Sequence, residues 1–185
     1  SGNLTNAGSS TNGSSSSSRC PAPARLFAEM TEEEFDTFVA TLSPRGNTYH
    51  DIGLVWGGRL ASPQGMFADL VNLEPDNGAA VARHLIFMTD GSMMPDRLTH
   101  SAYGIEYHDR RITSDGSTSH ARHNSRFLAV CEAIKAKGIR LWVIGFGTSL
   151  TTQLNTCASP NSIFEAANSS QLNTAFQEIA RRVGE

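Results

Sequence analysis

The sequence predicts an α/β domain: a mostly parallel, Rossmann-like sheet with helices on both faces. Three observations carry this reading. Two short apolar runs, His84–Met88 and Ile139–Phe146, have the length of buried strands, and each gives way to a glycine turn, at Asp90-Gly91 and at Gly147-Thr148. Segments with apolar residues at helical spacing stand before and after both runs. Strands that alternate with helices need crossovers, and right-handed crossovers bring the loops after the strands to one edge of the sheet. Open α/β sheets bind ligands at that edge, so Asp90 and Thr148 are its candidate residues.

The chain has 185 residues, enough for one such domain and a tail. Residues 1–19, SGNLTNAGSSTNGSSSSSR, carry almost no side chain able to bury area and read as a disordered linker or insertion; residues 20–185 read as the domain. A net charge of −3 and the lack of a basic stripe argue against a nucleic-acid binder. No apolar run approaches the ~20 residues that span a bilayer. Ser1 in place of Met makes the N-terminus read as processed, cut or internal to a longer chain.

In order, Ala24–Met30 reads as a strand. Thr31 then caps a helix over 31–42, with Glu34 completing a capping box, acidic residues in the first turn, and Phe35, Phe38, Val39 and Leu42 at helical spacing. Ser43-Pro44 breaks it. Ile52, Val55, Trp56 and Leu60 predict a helix over 49–61, in which Gly53 and Gly57 share a face and imply close packing against a neighbour. Residues 66–82 read as a loop or short turn. Residues 92–118 form a polar connection without periodicity, a length that points to function or mobility. A helix from Ser119 or His120 to Lys137 puts Phe127, Val130, Cys131 and Ile134 inward, with Gly138 at its C-terminal cap. After the second strong strand come a short helix over 150–157, a weaker strand over 162–167 and a final helix over 170–183.

The cysteines Cys20, Cys131 and Cys157 fit no zinc spacing. Cys131 reads as a core residue. Cys20 and Cys157 lie in loop-like contexts near prolines, and are the pair expected to bridge if the compartment is oxidising.

For chemistry, Thr48 before a helix and Asp90 at a strand end are the pair that counts most. A hydroxyl and a carboxylate at one sheet edge can ligate Mg²⁺, Mn²⁺ or another hard divalent cation, directly or through water. The plainer readings are a helix cap for Thr48 and a turn residue for Asp90. His50-Asp51-Ile52-Gly53 is similar to the signature of metal-dependent phosphohydrolases, but those sites need further ligands on an all-helical scaffold; Asp51 is better explained as a first-turn charge. Tyr107-His108-Asp109-Arg110-Arg111 is a cluster of ionisable groups that reads chiefly as surface. His120 and His123 are three apart on a helix, with no third ligand at fixed spacing. Phosphate-binding loops, nucleophile elbows and dinucleotide fingerprints are absent from the sequence.

GNTYHDIGLVWG followed by HLIFMTDG resembles the second and third metal motifs of von Willebrand factor A (vWA) domains. With SAYGIEYHDRR, ARHNSRFLAVCEAIKAKGIRLWVIGFGT and the Cys157-Ala-Ser stretch, the chain from about Cys20 onward is similar to TadG-type proteins of Tad (Flp) pilus assembly. The first metal motif of the family, Asp-x-Ser-x-Ser, has no match; Ser14–Ser18 lacks the aspartate and the strand before it. The resemblance therefore implies an incomplete vWA-type domain lacking the first strand, with Thr48 and Asp90 left as metal ligands, or a degenerate site that never held metal. It further implies a non-enzymatic module that binds a protein partner of the pilus or envelope machinery at a MIDAS-like metal edge. Its expected place is the periplasmic side of the bacterial inner membrane, with an anchor outside this stretch; nucleic acid is not an expected partner. The competing class is a metal-dependent hydrolase using Asp90, His50 and Asp51, or the Tyr107–Arg111 loop. A third is a structural α/β domain.

Overall fold

The computed structural model describes residues 23–26, 28–43 and 47–183. The expectations for residues 1–19 and for Cys20 lie outside that range. The elements, in order, are α1 (Glu32–Ala40), α2 (His50–Ala61), α3 (Ala68–Val71), β1 (Arg83–Thr89), β2 (His100–Ser101), β3 (Gly104–Ile105), α4 (Glu106–Asp109), α5 (His120–Ala136), β4 (Ile139–Phe146), α6 (Thr152–Cys157), β5 (Ile163–Ala166) and α7 (Ser169–Val183). They fall into two compact units: the described residues up to Tyr49 with Met94–His123, and His50–Met93 with Asn124–Glu185.

The second unit holds the α/β core. Its sheet is parallel, in the order β1-β4-β5, with Ile86 opposite Trp142 and Val143 opposite Ile163. Side chains alternate across β4, and helices cover both of its faces, which explains why its sequence is a continuous apolar run. Leu141 and Val143 face Leu54 of α2, Phe127, Cys131 and Ile134 of α5, and Leu154 and Cys157 of α6. Trp142 and Ile144 point the other way, onto Ile179 of α7, with Phe164 and Leu172 beside them. Burying each such large side chain contributes about 1.5–3 kcal/mol.

β1 departs from expectation. Among the described residues it pairs only with β4, and its two faces differ: Leu85 and Phe87 pack into the core, while on the other face Ile86 and Met88 are 39% and 51% exposed. The apolar cluster on α7 is built on β4 and β5 and does not include β1.

The glycine expectation needs a second correction. A Cβ at Gly53 would meet nothing within 4 Å, whereas one at Gly57 would come within 3.1 Å of Leu85 and one at Gly58 within 2.8 Å of Ile134. The close approach is therefore made at Gly57 and Gly58. A third correction concerns the cysteines. Cys131 is buried as expected, but it is bonded to Cys157, joining α5 to α6 inside the core. Helical spacing put Cys131 inward; only the packing of α6 beneath α5 brings the two sulfurs together.

The first unit is looser. Thr31 caps α1 through the expected capping box: Glu34 N–H donates to Thr31 Oγ1 at 3.2 Å and Thr31 N–H to Glu34 Oε2 at 2.9 Å. The apolar stripe of α1 stays largely in solvent, with Phe35 56% exposed. The strand expected over Ala24–Met30 is not formed at the described residues. The connection over 92–118 is structured instead of loop-like: β2 and β3 form an antiparallel hairpin and α4 adds one turn. No helix among the described residues is long and apolar enough to cross a membrane.

Candidate functional site

The C-terminal end of β1 is built from within the second unit. Thr89, the last strand residue, is buried, and its hydroxyl folds the next residues into a turn. Thr89 Oγ1 donates to the carbonyl of Gly91 at 3.0 Å and accepts the Gly91 N–H at 3.3 Å. Asp90 is carried at the tip of this turn, exposed. Asp90 is thus in a turn because the strand ends there, and it is exposed at that position.

Behind the turn stands His50, the first residue of α2. It is 6% exposed, and its Nε2 lies 3.1 Å from Thr89 Oγ1. The imidazole tautomer sets which of the two groups donates in this bond. The imidazole meets Phe87 and Phe127 at ring separations of 5.4 and 5.6 Å. Burial pushes its pKa below the ordinary value, against the raising influence of Asp51, the Gly91 backbone and Asp90. Asp51 is in the first turn of α2, as expected, but fully buried. Both residues of the pair are buried, a poor placement for meeting a phosphoester.

Thr148 follows β4. Thr89 and Gly145 are paired in the parallel register, so the turn after β4 shares the edge with Asp90, as the topology predicted. Glu165 Oε1 fixes that turn by accepting the Leu150 N–H at 2.8 Å. Thr48 belongs to the first unit, where its carbonyl accepts the Met94 N–H at 2.9 Å in an isolated antiparallel bridge; its side chain is half-buried.

The carboxylate of Asp90, in the second unit, and the hydroxyl of Thr48, in the first, are each of the kind a hard cation takes. In number they fall short of the about six ligands such an ion takes. Among the described residues no three His, Cys, Asp or Glu side chains are grouped to hold a metal. Of the other candidates, His120 is exposed while His123 is buried against the rings of Tyr49 and Tyr103, and Tyr107–Arg111 is exposed.

Sequence reasoning missed two residues. Thr89 was visible only as a strand terminus. Glu106, in the connection after Asp90, is buried and organises its loop: Oε1 accepts the Thr113 N–H at 2.6 Å and Oε2 the Ile112 N–H at 2.9 Å. A lone glutamate in a polar stretch gives no signal of that role.

No family model matches the chain, and no curated protein matches it. Among solved structures it is similar to two crystal structures of the pilus adhesin SpaC from Lactobacillus rhamnosus GG, one described as an open conformation. The TM-scores are 0.51 and 0.50 at 15% identity, over 83% of this chain. The chain spans about a fifth of the adhesin, 21% of its length. At that identity the likeness is one of fold.

Proposed function

We propose that this chain is a non-enzymatic protein-interaction module of bacterial pilus or envelope machinery, engaging its partner at the sheet edge that carries Asp90. The observation that carries the reading is the exposed carboxylate of Asp90 on a turn clamped by Thr89 and backed by buried His50. Rigid display of a charged group on a strand end is what a binding edge needs, since little ordering entropy remains to be lost on association. The shared fold with a pilus adhesin and the resemblance to TadG-type proteins favour pilus assembly, of the Tad type, as the setting. The buried Cys131–Cys157 bond favours an oxidising compartment, consistent with the periplasmic side of the inner membrane.

The divalent cation is a separable part of this proposal. Asp90 would supply one carboxylate, and water or a partner carboxylate the remainder. Calorimetry with Mg²⁺ and Mn²⁺ on the full-length protein tests it; no heat of binding removes the metal and leaves the protein interface standing.

The interface is tested by Asp90→Ala in the organism that makes the protein. Because Asp90 is exposed, stability is expected to change by less than about 0.5 kcal/mol, while pilus assembly is expected to fail. Normal assembly would overturn the reading. So would turnover of generic phosphoesters with Mn²⁺ that the substitution abolishes.

A further inference from the structure

We propose that the exposed loop Tyr107–Arg111 of the first unit, together with Arg97, is a second docking surface, shaped for an acidic segment of a partner protein. The loop is built to hold its shape. Glu106 anchors it from beneath, accepting the Thr113 N–H, the Thr113 hydroxyl at 2.8 Å and the Ile112 N–H. Burial pushes the Glu106 carboxyl up, but these hydrogen bonds outweigh it and hold its pKa below the ordinary value. Gly116 closes the far side with φ +70°, at a place where a Cβ would fall 2.9 Å from the Tyr107 carbonyl and 3.1 Å from that of Glu106. Arg110 ends α4 in the left-handed region, φ 48°, a conformation that costs an ordinary residue free energy and that Asn or Gly would adopt more easily.

The charges are sorted by this arrangement. The carboxylates next to the arginines are turned to backbone amides: Glu106 as described, Asp109 through Oδ2, which accepts the Ile105 N–H at 2.7 Å, and Asp96 through Oδ1, which accepts the Leu98 N–H at 2.7 Å. Arg97, Arg110 and Arg111 are exposed in a chain whose net charge is −3. Arg97 stacks on the ring of Tyr107 at 5.0 Å, Tyr107 N–H donates to the Arg97 carbonyl at 2.9 Å, and His108 meets the Tyr107 ring edge-on at 4.9 Å. Tyr107 remains 46% exposed. Arginine and tyrosine held rigid at a surface are the residues that carry most interface energy, and the positive charge selects carboxylates. The recess lined by Tyr49, Asp96, Tyr103 and His123 has a volume of about 10 Å³, room for one water, so this unit offers a surface there and not a ligand cleft. Three arginines are fewer than the roughly 4–8 basic residues that bind anionic bilayers, and the overall negative charge opposes polyanions at long range.

The test uses the whole chain and four probes: a synthetic Glu-rich peptide with a central Tyr-Leu pair, its Lys-for-Glu counterpart, phosphatidylserine vesicles and single-stranded DNA. Fluorescence anisotropy should show binding of the Glu-rich peptide, weakening as salt is raised, and about tenfold or more weaker in the Arg110→Ala, Arg111→Ala double variant. Glu106→Gln keeps every arginine but loosens the anchor; weaker peptide binding should accompany faster amide exchange at Ile112 and Thr113. Should that variant fail to fold, the surface arginine pair decides alone. Equal binding of both peptides, preference for vesicles or DNA, indifference to the arginine substitutions, or no binding at all would overturn the proposal. None of these outcomes bears on the Asp90 edge.

Discussion

The indole N–H of Trp142 donates to Nδ1 of His84 at 3.0 Å, and the two rings stack with centroids 6.0 Å apart. Trp142 is fully buried, so this bond satisfies a donor that has no water to turn to. It also requires His84 to be unprotonated at Nδ1. Burial, with the nearby charge of Arg140, holds the pKa of His84 below its ordinary value.

The sign of the resulting pH dependence follows. The unfolded chain takes up a proton near pH ~6.5 that the native state resists, so the stabilisation is whole above that pH and is lost as the pH falls below it. His50, also lowered by burial, acts in the same direction. Urea denaturation should therefore show a lower midpoint near pH ~5 than above pH ~7, and His84→Gln, which keeps an acceptor but cannot titrate, should flatten that difference. An unchanged slope in the variant would remove His84 as its source.

Reduction of Cys131–Cys157 should destabilise the second unit. The cysteines are 26 residues apart, and closing a loop of that size restricts the unfolded chain by about 3.5 kcal/mol in the chain-entropy description. Cys131→Ala with Cys157→Ala should lower the denaturation midpoint and abolish its sensitivity to reductant. Cys20→Ala should leave both unchanged.

Two glycines of α2 should respond oppositely to alanine. Gly53→Ala meets open space and should be neutral or stabilising by up to about 1 kcal/mol, through helix propensity. Gly58→Ala drives a methyl to within 2.8 Å of the Ile134 side chain and should cost about 1–3 kcal/mol. Equal thermal midpoints for the two variants would contradict the packing of α2 on α5.

Thr31→Ala removes the cap of a helix with no buried residue to hold it. The loss should be about 1 kcal/mol and local. Hydrogen exchange should quicken at Glu34 and its neighbours in α1 while the amides of β4 keep their protection.

Where the sequence was legible, one period dominated a long enough stretch. Ile139–Phe146 and the helices α2, α5 and α7 were read within about two residues of their observed ends, because each holds its pattern over several turns or a whole strand. The connection over 92–118 was opaque for the converse reason: two-residue strands and a one-turn helix are too short to show a period, and the residue that organises them is a single buried glutamate. Ala24–Met30 had the composition of a strand, but its described residues join no ladder, and composition alone does not make one.

At the candidate site the division is similar. Asp90 and Thr148 were placed on one edge from the order of elements, since crossover handedness leaves little choice. That Thr89 folds the turn, and that His50 sits behind it enclosed by Phe87 and Phe127, needed the packed structure.

By itself the sequence determined the alternation of strands and helices, the parallel sheet, the capping of α1 and the edge on which Asp90 stands. Each of these follows from local periodicity, local hydrogen bonding and chain chirality. Tertiary structure alone decided that Cys131 pairs with Cys157, that Gly58 and not Gly53 is the tight contact, that Ile86 and Met88 of β1 are exposed, and that Glu106 turns its charge inward beneath an arginine loop. Those outcomes depend on which distant segments meet, and no spacing along one chain records the distance between two elements after packing.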